Sequence, residues 1–368
     1  VERAVARIDL GAVRANCERL KAELDGSELC AVVKADGYGH GADACAEAAL
    51  AGGATRLAVA TAGEAEQIGR RLQHVKLLTM GALTEDEVDT VISAGSELAL
   101  WRDDFRRVVA ARARAHGHRA RVHVKYDTGM GRLGNADRGE VLELCRACAE
   151  DPNLELAGVW THFATADELD SDYFDEQLAR FDEVAAAVKA EHPGTIAHAA
   201  NSAAVFRDKR SHYDMARCGI AVYGLDPFQR DPAEHGLQPA MSLRSHVADV
   251  KRFPAGASVG YGRKWKAPVD TWVGVIPLGY GDGVRRALTN NAEVLVRGRR
   301  QPLVGTVSMD NITIDLGPET EVGPGDEAVL IGRQADDEIL AEEVARRLET
   351  INYEVTCAIS PRVPRRPA

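Results

Sequence analysis

Over roughly the first 225 residues, short apolar, β-rich runs alternate with longer Ala/Glu/Arg-rich segments whose apolar positions recur at helical spacing. The runs are LCAVVKAD at 29–36, RLAVAT at 56–61, VKLLTMG at 75–81 and ELALW at 97–101. They continue as ARVHVKYD at 120–127, LELAGVWTHF at 154–163, IAHAANS at 196–202 and MARCGIAVYG at 215–224. Eight candidate strands, separated by helical segments such as YFDEQLARFDEVAAAVKAEH at 173–192, fit a closed (β/α)8 TIM barrel. An open doubly wound sheet fits less well. Gly37, Gly39 and Gly41 of KADGYGHGA lack the G-x-G-x-x-G spacing of a dinucleotide fold.

After Gly224 the texture changes. DPFQRDPAEHGLQP at 226–239 carries three prolines and reads as a linker. Beyond it come strand-like runs broken by glycine and proline: SLRSHVADVKRF, TWVGVIPLGY, AEVLVRG, QPLVGTVSMDNITIDLG and EAVLIG. One helix is expected over 337–349, DEILAEEVARRLE, and SPRVPRRPA at the end reads as an ordered strap or crossing edge. The expected division is thus a barrel over 1–230 and a mostly β domain over 231–368.

Composition narrows the classes of function. Lys plus Arg total 45 against 56 Asp plus Glu, a formal charge of −11, with 45% apolar and 27% charged residues. That is a globular, acidic chain, and its charge repels a phosphate backbone, so no nucleic-acid partner is expected. No apolar run approaches the length of a membrane span, so no membrane partner is expected either. The opening VERAVARIDL is too interrupted by charge for a signal peptide, and seven cysteines do not suggest a disulfide framework. The expected compartment is cytoplasmic. Cys145 and Cys148 form a C-x-x-C inside a helically periodic stretch; with no second pair or zinc-spaced histidine they read as a buried helical pair, and no metal site is expected.

Active sites of barrels lie at the C-terminal ends of the strands. That rule singles out Lys34, Lys125, Arg132, His162, Asn201, Ser202 and Arg217. A lysine following Ala31, Val32 and Val33 is either a desolvated amine, and so a nucleophile for a Schiff base, or a salt-bridged lysine of the barrel mouth. His162 is a base, a ring-stacking partner or a satisfied polar residue. A guanidinium at Arg217 needs an anion or a directed acceptor, and Gly219 and Ser202 beside it suit a phosphate. Chemistry alone leads to an amine nucleophile beside a phosphate nest and names no reaction.

The run AVVKADGYGHGA at 31–42 resembles the pyridoxal-phosphate motif of the bacterial alanine racemases. The resemblance continues through HVKYDTGMGR at 123–132, WTHFATAD at 160–167, ANSAA at 200–204 and ARCGIAVYG at 216–224. In the second domain it runs through VGYGRKW at 259–265, LGYGDG at 278–283, GTVSMD at 305–310 and TINYEV at 350–355. It implies a pyridoxal 5'-phosphate enzyme interconverting L-alanine and D-alanine, supplying D-alanine for peptidoglycan. It also implies a head-to-tail homodimer whose active sites combine the barrel of one subunit with the β domain of the other. Carried over by position, Lys34 holds the cofactor and is the base on the D-alanine face; Tyr261 of the partner subunit is the base on the L-alanine face. Arg217 faces the pyridine nitrogen, His162 packs on the cofactor ring, and Asn201 belongs to the cofactor surround. Tyr38, Ser202, Gly219, Ile220 and Tyr353 match phosphate-holding positions. Arg132, Met309 and Asp310 match substrate-binding positions, and Lys125 matches a lysine often carbamylated in the family. A pyridoxal-phosphate decarboxylase shares the plan but normally sets an acidic residue at the ring nitrogen, so Arg217 counts against it.

Overall fold

The computed structural model describes residues 2–368. Eight parallel strands close on themselves: β2 (Glu28–Val32), β3 (Arg56–Val59), β4 (Lys76–Thr79), β5 (Ser96–Leu100), β6 (Ala120–Lys125), β7 (Leu154–Trp160), β8 (Ile196–His198) and β9 (Met215–Cys218), preceded in the chain by β1 (Ala4–Ile8). The barrel shuts where Glu28 of β2 pairs with Met215 of β9. These strands are buried along almost their whole length, which is why they read as continuous apolar runs and not as alternation. The intervening helices cover them. Tyr173–Glu191 turns Phe174, Leu178, Phe181, Val184, Ala185 and Val188 inward at helical spacing, within a residue of the expected 173–192.

One irregularity re-aims side chains toward the mouth. Val122 of β6 pairs with Leu156 of β7, but His123 pairs with Gly158, so β7 carries one extra residue at Ala157. Because side chains alternate along a strand, this bulge decides which β7 residues lie beside His123 and Lys125.

The second unit is mostly β. Its main sheet runs Arg299–Pro302, Glu293–Val296, Glu327–Gln334, β10 (Met241–His246), β1, Arg365–Pro367. A second sheet joins Asp249–Phe253, Thr271–Ile276 and Ile312–Gly317, and Ser258–Val259 pairs with Trp265–Lys266.

Two expectations need correction here. The units comprise 13–222 and, separately, 1–12 with 223–368, so the division expected at 230/231 misassigns the chain's opening. AVARI is β1, antiparallel to β10 and parallel to Arg365–Pro367; backbone pairing at both of its edges ties it to the β unit. The helix expected over 337–349 is shorter, Ala341–Arg347. Asp337–Ile339 is instead a strand folded back on Glu327–Gln334, across a turn in which Ala335 takes φ 53°. The expected strap at the end is the Arg365–Pro367 strand. Cys145 and Cys148 are buried in the helix Arg138–Glu150, where burial pushes both thiols up, Cys148 to about 12. No helix among the described residues is long and apolar enough to cross a membrane.

Candidate active site

β2 ends at Val32, so Lys34 lies just past the strand, at the barrel mouth. It opens a short turn, Lys34–Tyr38, with an unusual backbone: Ala35, Asp36, Gly37 and Tyr38 take φ of 52°, 52°, 61° and 53°. For a residue with a Cβ, a left-handed turn costs roughly 1–2 kcal/mol. Specific contacts hold it. Glu64 Oε1 accepts from the Ala35 N–H at 2.7 Å, while its Oε2 accepts from Ala60 and Thr61 in the capping box of the next helix. Asp36 Oδ1 accepts from the Ala42 N–H at 2.9 Å, and the Asp36 carbonyl accepts from Gly41 at 2.8 Å. One short turn thereby presents both Lys34 and Tyr38.

The Tyr38 hydroxyl lies against Gly219: a Cβ at 219 would stand 2.2 Å from it. Here the absence of a side chain is required by close approach. Ser202 Oγ accepts from the Gly219 N–H at 3.1 Å and the Ala221 N–H at 3.4 Å, and Ile220 is buried beside them. Asn201 caps the helix Ser202–Arg207 by accepting from Ala204, which sets Ser202 at its first turn. Tyr38, Ser202, Gly219 and Ile220 thus form one hydroxyl- and amide-rich cradle suited to a phosphate.

Arg217 is buried, and its polar partners among the described residues are all neutral. NH2 donates to the Thr161 and Ala199 carbonyls at 2.8 and 3.0 Å and reaches His162 Nδ1 at 3.3 Å; NH1 donates to His198 Nδ1 at 2.8 Å. Burial lowers the guanidinium to about 10, so it stays charged at neutral pH. A buried cation with no carboxylate beside it, next to a phosphate cradle and a lysine, fits an anionic cofactor whose ring supplies an acceptor nitrogen. His162 is held well below the usual imidazole range by burial and by the charges of Arg217, Lys125, Arg132 and Lys34, so it is neutral.

Lys125 is buried, with Nζ 4.4 Å from the centre of the Trp160 ring; the Arg217 guanidinium lies 4.7 Å from the same ring. Burial first, then Arg217 and Arg132, bring its amine down to about 7. Arg132 is exposed in a loop shaped by Asp127, whose Oδ1 accepts from Gly129, Met130 and Gly131. Its guanidinium has no hydrogen bond or ion pair among the described residues.

All ten barrel positions expected at the site, from Lys34 to Ile220, lie in 13–222; Tyr261, Met309, Asp310 and Tyr353 lie in the β unit. There Tyr261, 73% exposed, opens a short 3-10 turn, and its carbonyl accepts from Thr306 Oγ1 at 2.6 Å. Met309 is exposed, Asp310 is paired with Arg362 at 2.7 Å, and Tyr353 lies half-buried in the helix Asn352–Cys357.

Sequence reasoning missed a string of polar residues inside the barrel: Arg56 of β3, Glu97 of β5, His123 of β6 and His198 of β8, all buried. The available signal was a polar residue opening the runs at 56 and 97, and a histidine between apolar residues in the runs at 120–127 and 196–202. Gly158 makes room for the string, because a Cβ there would stand 2.1 Å from His123 Nδ1. Gly158→Ala is therefore expected to destabilise the fold by about 1–3 kcal/mol, read as a lower midpoint of chemical denaturation.

Comparison with known proteins covers both units. The family model for the alanine racemase N-terminal domain matches residues 8–227, and that for the C-terminal domain matches 240–367. Alanine racemase of Symbiobacterium thermophilum is 42% identical over 362 residues, covering 98% of this chain and 96% of its own. Alanine racemase 1 of Bacillus subtilis is 39% identical, covering 98% and 92%. The crystal structure of alanine racemase from D-cycloserine-producing Streptomyces lavendulae superposes with a TM-score of 0.95 at 37% identity, covering 100% of this chain and 97% of that one. In both its barrel and its β unit, the chain belongs to the alanine racemase family.

Proposed function

We propose that the chain interconverts L-alanine and D-alanine with pyridoxal 5'-phosphate held at the barrel mouth. The observation that carries this reading is Arg217: a buried guanidinium without an anion, beside the Ser202–Gly219–Tyr38 cradle, in a chain of this family. Lys34 would bind the cofactor's aldehyde, with Tyr38, Ser202, Gly219 and Ile220, joined by Tyr353, at its phosphate and Asn201 holding Ser202 in place. When bound, the cofactor supplies an electrophilic carbon for the substrate amine and withdraws electrons from the Cα–H bond.

Racemisation removes a proton from one face of Cα and delivers one to the other, so two acid–base groups must stand on opposite sides. Lys34 takes or gives the proton on the D face, and Tyr261 of the partner subunit does so on the L face. Arg217 keeps its own proton, so it offers the ring nitrogen a hydrogen bond without protonating it, which limits side reactions that need a stronger electron sink. Neutral His162 accepts from Arg217 and packs on the ring. Arg132, with no hydrogen bond or ion pair among the described residues, takes the substrate carboxylate, and Met309 and Asp310 of the partner subunit line the substrate's approach. A head-to-tail homodimer is supported by the exposure of Tyr261, Met309 and Tyr280, three large side chains on neighbouring turns of the β unit. The reading extends to a cytoplasmic enzyme whose D-alanine feeds peptidoglycan.

L-alanine incubated with the loaded protein in D2O should yield deuterated D-alanine approaching an equal mixture with L. Absence of exchange from any amino acid, with cofactor bound, would overturn the reading.

The Lys125 amine is the modification site. Its value of about 7 lies below the ordinary 10.5, so it is neutral and able to attack carbon dioxide above pH 7 and is an ammonium below. A carbamate there would give Arg132 an anion and set an acceptor near Trp160, whose Nε1 has no hydrogen-bond partner among the described residues. With 13C-bicarbonate, a carbamate carbon signal is expected at pH 8. It should fade as pH falls below 7 and be missing in Lys125→Ala.

A further inference from the structure

The polar string inside the barrel joins the mouth to the opposite end. Glu97 sits near the N-terminal end of β5, where with Arg121 it lines a cavity of about 890 Å³ among Lys76, Ser93 and Gly95. From there Glu97 Oε2 meets His123 Nε2 at 2.6 Å, His123 Nδ1 meets His198 Nε2 at 2.8 Å, and His198 Nδ1 meets Arg217 NH1 at 2.8 Å. We propose that Glu97 is a positioning residue for the active site: through His123 and His198 it fixes which nitrogen of each imidazole carries the proton, and so holds Arg217 in place as a donor. The proposal rests on the reading that Arg217 faces the cofactor ring.

The direction of every bond follows from its ends. A carboxylate only accepts, and a guanidinium only donates. His123 and His198 are both buried and both held neutral, by burial above all. His123 must then carry its proton on Nε2, toward Glu97, which leaves Nδ1 bare to accept from His198 Nε2–H. His198 Nδ1 is bare in turn and accepts from Arg217. The opposite order is self-consistent through both imidazoles but ends with His198 Nδ1–H against an Arg217 N–H, donor against donor. Only an acceptor at position 97 excludes that order from the far end. Glu97 is kept ionised: burial opposes its charge, but His123 and Arg56 bring it down to about 2, and Arg121 Nε adds a contact at 3.0 Å.

A structural role alone would make Glu97 the counterion of buried Arg56 and nothing more. The two are separated by comparing Glu97→Gln with His123→Phe, which keeps the Glu97–Arg56 pair and cuts the string. The amide of Glu97→Gln can also donate, so the order is held from the Arg217 end alone, and the reverse order becomes available whenever Arg217 turns away from His198. Holoenzyme labelled with 15N-histidine should show His123 and His198 each as a single Nε2–H tautomer, unchanged from pH 6 to 9. In Glu97→Gln both should become mixtures, the visible absorbance of the bound cofactor should shift, and kcat for alanine should fall about tenfold. In His123→Phe, His198 loses the acceptor facing its Nε2, so only Arg217 holds its order; a mixture is expected as Arg217 turns away, with the same shift and fall. An Nδ1–H tautomer at either histidine of the wild type overturns the proposal. So does a folded Glu97→Gln with wild-type tautomers, absorbance and kcat; if that variant does not fold, the same result from His123→Phe overturns it. A wild type that does not racemise alanine would instead sink the cofactor reading, and the imidazole spectra would still decide the string.

Discussion

Lys34→Ala is expected to bind no cofactor covalently and to lose alanine racemisation by about 10⁴-fold or more. On the proposed reading the substitution removes two functions at once, the amine that bonds the aldehyde and the base of the D face. Because Lys34 lies past the end of β2 and is only partly buried, the barrel should fold as before. The check is borohydride treatment of the loaded protein followed by mass analysis: the wild type gains one pyridoxyl phosphate per chain and the variant none. Denaturation midpoints of the two should agree within a few degrees. Full racemisation in Lys34→Ala would remove this residue from both roles.

Tyr261→Phe separates the two faces. The phenol is the only acid–base group assigned to the L face, so L-to-D turnover should fall by about 10²–10⁴-fold. Lys34 remains, so D-alanine in D2O should still exchange its α-hydrogen without becoming L-alanine. Cofactor binding should not change, since Tyr261 belongs to the β unit and its ring is largely exposed there. Chiral separation with mass analysis of both enantiomers reads all three expectations. Wild-type rates in both directions would show that another group serves the L face.

The barrel was legible because parallel strands covered on both sides leave unbroken apolar runs, and all eight are where those runs lie. The mouth was legible too: Lys34, His162 and Arg217 stand at or just past strand ends, where polarity interrupts such runs. What escaped is instructive. AVARI is five residues long with a charge in it, and nothing local shows that its partners begin at Met241 and Arg365. Asp337–Ile339 was absorbed into the helix after it because three residues cannot display a period of two against one of 3.6. Nothing local ties Glu97, His123 and His198 to one another. They acquire meaning only together, and they meet across 26 and 75 residues of sequence. The left-handed turn after Lys34 was only half visible: Gly37, Gly39 and Gly41 mark it, but Ala35 and Asp36 are ordinary residues held left-handed by contacts with Glu64 and Ala42.

The position of β1 has a consequence for synthesis. This strand is made before the barrel, but the partners on its two sides, Met241–His246 and Arg365–Pro367, are made more than two hundred residues later. At about 5–20 residues per second, β1 waits roughly 10–50 s on the ribosome for the first of them. Every strand of the barrel, 28–218, is translated within that interval. The barrel can therefore close while β1 trails from it with both edges unpaired, a short apolar segment open to chaperones and to β1 of neighbouring nascent chains.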